Sequence, residues 1–294
     1  MAAVARQIVC TNNENVAITL TDKFFPWELQ TCEGIYEINN QVNTMDDAMT
    51  DGSIYQGSKV TKRNIVLTLR DRPDSDHMAN RKLLYSVFKP ASAGVFAYTE
   101  NGDTKAIEYY VEKVYIDAVK RSRAATVSLI CPNPFFHDLD DTVVSMANWD
   151  SLFEFVHEFS SDGEEFAVRN VERLKTIENY NADNIGVTIT LRAFGAVTNP
   201  AIYHVEAQTA IEIGTTAKPF TMEAGDSVVI TTETNNKHVY LVHNDIWTEV
   251  NNYLSEETEF IQLGIGANTF GYNAASGADN MLVSIAYRNR YLGV

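Results

Sequence analysis

Cysteine is scarce in this chain, and the few there are do not form a pattern. Cys10, Cys32 and Cys131 are odd in number, widely spaced and free of any CxxC arrangement. Neither a disulfide framework nor a zinc site follows from such spacing, even with His137 nearby. Buried free thiols are the expected state. Long apolar runs are missing too: nothing approaches the roughly 20 residues of a membrane helix. The N-terminal stretch Met-Ala-Ala-Val-Ala-Arg-Gln-Ile-Val-Cys lacks the apolar core and cleavage site of a signal peptide. Synthesis and folding in a cytoplasm are therefore expected, with no membrane partner.

Positive charge is in short supply, and unevenly so. The net charge is −16. Residues 1–137 carry 15 Lys and Arg against 16 Asp and Glu, whereas residues 138–294 carry 8 against 23. An acidic surface repels phosphate backbones, which argues against sequence-specific nucleic-acid binding. The shift in balance near residue 137 suggests two units with different surfaces. With 294 residues, 45% apolar and 21% charged, the chain is long enough for one large or two medium domains.

Catalytic signatures are lacking as well. There is no GxSxG, P-loop, HExxH or strand-following GxGxxG motif. Gly264-Ile265-Gly266 has no third glycine and opens no helix, so a turn is the better reading. His157-Glu158 has no second histidine four residues on. Asp138, Asp140 and Asp141 lack the glycine and terminal glutamate of a calcium loop. Glu164-Glu165 and Glu256-Glu257 are carboxylate pairs in a chain with 39 acids, where solvated faces are the simpler account. No residue is nominated as catalytic, cofactor-binding or metal-binding, and no cofactor is expected; the chain reads as a non-enzyme. Trp149, Trp247, Tyr240 and Tyr253 remain as candidates for a sugar-stacking platform, against the commoner role of aromatics as core.

What is present is strand after strand. Val16–Leu20, Thr61–Arg70 with Ile65, Leu67 and Leu69 on one face, Ile107–Ile116 and Ala125–Ile130 are rich in β-formers. Asn101-Gly102-Asp103 reads as a hairpin turn. One helix is marked, with Asp74 or Ser75 as N-cap, Pro73 before it and Pro90 ending it. Met78, Leu84, Tyr85 and Phe88 would form its apolar stripe. Cys131-Pro132-Asn133-Pro134 ends a strand and leads into an exposed acidic connection. Residues 149–184 are ambiguous: Glu172–Tyr180 is either a short helix or part of strands flanking the turn at Ser160–Gly163. Beyond, Val187–Leu191, Ala201–Ala207, Ser227–Thr232, His238–Val242 and Met281–Tyr287 are strands separated by turn signals at 224–226, 234–237 and 275–279. That spacing indicates a β-sandwich or jelly roll.

Three ordered stretches resemble the distal tail protein (Dit) family of siphophages. They are Asp51-Gly52-Ser53 and Gly57-Ser58-Lys59-Val60 as a glycine-rich loop before the arginine-bearing strand Arg63–Leu67, the helix Asn80–Pro90, and Ser128–Phe136 as the end of a first domain. Weaker matches follow at Asn199-Pro200, Gly225-Asp226, Leu263–Asn268 and Tyr291–Val294. The resemblance implies a mainly β protein. Its first domain, residues 1–137, would be α+β, a β-sandwich-like, ring-forming domain with one helix. Residues 138–294 would be a galectin-like jelly-roll β-sandwich. It further implies a structural role in the virion at the tail tip: a homohexameric ring, assembled in the host cytoplasm, that joins the tail tube protein to tail-tip or tail-associated proteins and lets DNA pass. Receptor-binding proteins or a host glycan are further implied partners. The competing class is a carbohydrate-binding host-adsorption module; a cell-wall hydrolase comes third.

Overall fold

Alternation of apolar and polar residues builds most of this molecule, since successive side chains on a strand point to opposite faces. A computed structural model of the chain describes residues 6–22, 26–46, 51–71, 76–117, 123–151, 167–171, 173–180 and 183–294, with the side chains of 147–151 and 167–171 left aside. The strands in order are β1 (Arg6–Asn12), β2 (Ala17–Leu20), β3 (Trp27–Glu33), β4 (Asn40–Asp46), β5 (Ser53–Val60), β6 (Arg63–Asp71), β7 (Ala93–Glu100), β8 (Asp103–Ile116), β9 (Ala124–Cys131) and β10 (Phe136–Asp138). They continue as β11 (Thr142–Ser145), β12 (Ala147–Ser151), β13 (Ala167–Val171), β14 (Leu174–Asn179), β15 (Ile185–Gly186), β16 (Thr188–Ala193), β17 (Val197–His204) and β18 (Thr209–Glu212). The last are β19 (Thr221–Met222), β20 (Ser227–Glu233), β21 (Asn236–His243), β22 (Ile246–Glu249), β23 (Gln262–Leu263), β24 (Gly266–Ser276), β25 (Met281–Tyr287) and β26 (Arg290–Tyr291). All paired strands are antiparallel. The fold is mainly β, and among the described residues there is one α-helix, α1 (His77–Val87).

The chain divides into two units, one of residues 1–139 with 290–294 and one of residues 140–289. The first thus takes back the last five residues, through pairing of β26 with β10.

In the first unit the sheet runs β2-β1-β7-β8-β9-β6-β3, with β10 joined to β8. Its inward row is strictly alternate: Ile65, Leu67 and Leu69 on β6 face Val127 and Leu129 on β9, all fully buried. β7 and β8 are joined by Asn101-Gly102, both with positive φ, as a two-residue hairpin requires.

Helix α1 starts one or two residues later than its sequence suggests. The N-cap is Asp76, whose carboxylate accepts the Met78 and Ala79 amides at 3.0 and 3.2 Å; Asp74 and Ser75 lie outside the described residues. Leu84, Val87 and Phe88 are buried, with the Phe88 ring 6.1 Å from that of Tyr109. Met78 and Tyr85 are exposed, contrary to the expected four-residue stripe. The buried face instead runs through Asn80, which donates to buried Asp71 at 2.7 Å and whose carbonyl accepts the Trp27 indole at 3.2 Å.

Arg63, at the start of β6, is a buried side chain with four hydrogen bonds to backbone carbonyls. It is 3% exposed. Nε donates to the Pro134 carbonyl at 2.8 Å, Nη1 to those of Gly34 and Ile35 at 2.6 and 2.8 Å, and Nη2 to that of Leu292. The guanidinium also stacks 5.0 Å above the Phe136 ring. Burial lowers its pKa, but arginine starts so high that it stays charged.

The second unit is a two-sheet sandwich. One sheet is β11-β25-β16-β20-β21-β22; the other is β14-β24-β17-β18 with β19 on β17. Ile189, Leu191, Val228, Ile230, Val283 and Ile285 from the first pack against Ile202, Ile211, Phe270 and Tyr272 from the second. Between Glu172 and Tyr180 the structure has strand, β14, rather than helix. β12 and β13 form a hairpin whose connection, including Ser160–Gly163, lies outside the described residues.

Two stability outcomes follow. Phe88→Ala removes a fully buried ring and should cost about 3–5 kcal/mol in denaturant unfolding. Arg63→Ala removes the donor to four carbonyls, those of Gly34, Ile35 and Pro134 in buried hydrogen bonds, and should cost on the order of 3–5 kcal/mol. Arg63→Lys should recover little, because one ammonium cannot reproduce a planar fork. Unchanged midpoints in either alanine variant would contradict the packing just described.

Candidate functional site

A two-stranded antiparallel hairpin, β4–β5, is not paired with the large sheet of the first unit. Nearly all of its residues are exposed, including Val42 (54%), Met45 (49%), Ile54 (56%) and Tyr55 (63%). An isolated hairpin is marginal in water, and an exposed apolar hairpin with free edges invites pairing with another chain. Its register shifts between Asn43 and Thr44, where Gly57 has φ +129°. Glycine is needed there because that φ excludes other L-residues. Tyr55 donates to Ser58 at 2.9 Å across the shift. Met45 pairs with Ile54 and Val42 with Ser58, so each face carries apolar groups.

The base of this arm is fastened. The Thr61 amide donates to the Asn39 carbonyl at 2.8 Å. Just before the arm, the Tyr36 hydroxyl meets that of Tyr98 at 3.0 Å and the Glu100 carboxylate at 3.3 Å. Arg6 donates to the same carboxylate at 2.9 Å. The Arg6 hydrogen bond holds the Glu100 pKa below its usual range, while burial raises that of Tyr98. Arg6 is thus charged against a charged Glu100, and Tyr98 stays a neutral hydrogen-bonding group.

The resemblance implies a glycine-rich loop over residues 51–60; Ser53–Val60 is instead a strand of this arm. The arm was invisible in sequence because it buries neither face. Asn40–Asp46 therefore shows no alternation and few β-formers.

The other candidates are dispersed. Cys10 and Cys131 are buried and Cys32 is half-buried, all three as free thiols. Burial pushes the Cys32 and Cys131 thiols up to about 12, which keeps them protonated. Asp138 accepts from Lys105 at 2.8 Å and from the Tyr291 hydroxyl at 3.1 Å, and Asp141 pairs with Arg288. Burial opposes the Lys105 charge, but Asp138 and Asp103 outweigh it and raise its pKa. Gly264-Ile265-Gly266 is a turn held by the Asn268 side chain, which accepts the Gly264 amide at 2.7 Å and donates to the carbonyls of Gly264 and Gly266. Of the four platform aromatics, Tyr240 and Trp247 meet edge to face at 5.7 Å. Tyr253 packs elsewhere, on Phe220 at 5.2 Å. The side chain of Trp149 lies outside the described residues.

Two mainly β units, the first with a buried arginine clasp and a two-stranded arm, make up a fold that is shared with solved phage tail proteins. Among solved structures, the chain is similar to the SPP1 Dit (gp 19.1) protein, described as a paradigm of hub adsorption apparatus in phages infecting Gram-positive hosts. That match covers 97% of this chain and 99% of that one, with a TM-score of 0.65 and 11% identity. Structures of the phage P2 baseplate in its activated conformation, with Ca and with Sr, match over 98% of this chain and 99% of theirs, with TM-scores of 0.52 and 0.50 at 10% and 9% identity. No protein-family model and no curated protein sequence matches.

The arm's hydrogen bonds are open to water from both faces. In the unassociated chain, the amides of β4 and β5 should exchange with deuterium at least about 100-fold faster than those of β6 and β9. Equal protection would show that the arm is covered within a single chain.

Proposed function

We propose that this protein is a structural, non-catalytic subunit of a phage tail tip: a distal tail hub protein forming a hexameric ring between the tail tube protein and the tail-tip proteins. The observation that carries this reading is the match in fold to SPP1 Dit over nearly the full length of both chains. Residues 1–137 are the ring-forming part, and residues 138–294 are a galectin-like part turned outward. A closed ring of identical subunits uses a heterologous contact, one patch meeting a different patch on the neighbour. The β4–β5 arm supplies one such patch: its apolar groups and free strand edges lack a cover among the described residues. DNA passing through the ring must slide and not stick, and a net charge of −16 favours repulsion. The protein then resides at the virion tail tip after assembly in the host cytoplasm.

Sedimentation velocity and native mass spectrometry of the full chain test this. The expected result is a hexamer in equilibrium with monomer. Val42, Met45, Ile54 and Tyr55 changed together to Ser should shift the equilibrium at least about tenfold toward monomer, with an unchanged melting temperature. A chain that stays monomeric at every concentration, or a variant that assembles as before, contradicts the ring reading or the arm's part in it, respectively.

A further inference from the structure

We propose that the outer face of β21 and β22 is a binding site for a neutral saccharide, with the Trp247 indole as the stacking surface. The site is built from alternation at the sheet edge. Val242 pairs with Trp247 and Tyr240 with Glu249, so these side chains share one face. His238, two residues before Tyr240, lies on that face too. Its imidazole stacks on the Tyr240 ring at 5.6 Å and 25°. The Tyr240 ring in turn meets Trp247, which is 58% exposed on the edge strand.

Polar groups stand beside this aromatic row in a fixed order. One oxygen of Glu249 accepts from His238 Nδ1 at 2.8 Å and from Asn251 Nδ2 at 2.8 Å. These bonds hold the carboxylate in place and leave its second oxygen available. Among the described residues, His238 Nε2, the Tyr240 hydroxyl and the Trp247 indole N–H have no hydrogen-bond partner. In the neutral tautomer that directs Nδ1–H at the carboxylate, Nε2 is an acceptor. The face therefore offers one flat apolar surface, two donors and two acceptors at one edge. That combination suits a pyranose, whose ring C–H face is apolar and whose hydroxyls both donate and accept. The row continues inward with hydroxyl side chains: Thr231 pairs with His238, and Thr188 with Thr231.

Charge and size narrow the ligand class. Residues 138–294 carry 8 basic against 23 acidic residues, which disfavours an anionic ligand. On the outer face of β21 and β22, Trp247 is the one large exposed apolar side chain; Ile246 points the opposite way. A single ring among hydroxyls is far from the contiguous apolar core of a protein interface. This site is independent of the ring reading, since it uses no part of the arm.

The test titrates the full chain with neutral di- and trisaccharides containing gluco, galacto, manno and N-acetylhexosamine units, followed by saturation-transfer NMR and tryptophan emission. The expected result is saturable binding of at least one sugar. Trp247→Ala should weaken that binding about tenfold or more, and Trp247→Phe less, with melting temperature unchanged. Glu249→Gln and His238→Ala should each weaken it without abolishing the emission change. Absence of saturable binding across the panel overturns the proposal, as does binding that persists undiminished in Trp247→Ala. Loss of association with a purified tail-tip protein in Trp247→Ala, without any sugar binding, would assign the face to a protein contact and equally overturn it.

Discussion

One guanidinium holds the first unit together. Arg63 places four N–H···O=C bonds into segments far apart in sequence, Gly34-Ile35, Pro134 and Leu292, at carbonyls that lie outside the strands. No strand ladder satisfies those carbonyls, and a buried carbonyl without a donor is costly. A lysine could not serve them all, because its ammonium is a point and not a planar fork. Gly34 is drawn equally close. Its φ is +86°, and an added Cβ would lie 2.0 Å from the Asn64 carbonyl oxygen, so only glycine fits there.

Several features of the structure depend on this clasp. The segment held at Gly34-Ile35 leads directly to Tyr36, and from there into the β4–β5 arm. The arm has no sheet of its own to lie on, so its direction is set by the clasp and by the Tyr36–Tyr98–Glu100–Arg6 network. The segment held at Leu292 is the end of the chain. After the second unit, β26 returns to pair with β10, and Tyr291 donates to Asp138. An ion-paired Asp138 explains why the acidic run that follows the Pro132-Pro134 exit is partly structural and not simply a solvated linker.

The contrast between the two candidate surfaces is chemical. The arm carries apolar groups on both faces and has free edges, a composition that suits another polypeptide. The β21–β22 face has one exposed indole and a pre-set carboxylate–imidazole pair, a composition that suits a small polar ligand. Surfaces of both kinds lie outside the hydrophobic cores, whose side chains are chosen for packing. That leaves each free to vary without loss of the fold.

Much of the fold was legible in sequence wherever one face of an element is buried. Ile65, Leu67 and Leu69 reveal β6 because burial imposes a period of two, and Asn101-Gly102 reveals its turn because both residues must adopt positive φ. Composition likewise revealed a mainly β chain with an acidic second half. The arm left no such trace, since a hairpin that packs on nothing in its own chain has no buried face to pattern. The helix start was misjudged by one or two residues because Asp74, Ser75 and Asp76 are chemically equivalent caps until the chain path decides among them. Arg63 was noticeable as a residue but not as a clasp, because its four partners are backbone carbonyls, which have no sequence signature. Trp247, Tyr240 and Tyr253 looked alike in sequence, yet only the strand register puts Trp247 and Tyr240 side by side on one face while Tyr253 packs on Phe220. Sequence determines local period and turn chemistry; which distant segments a buried charge gathers, and which aromatics share a face, is decided only when the strands are in register.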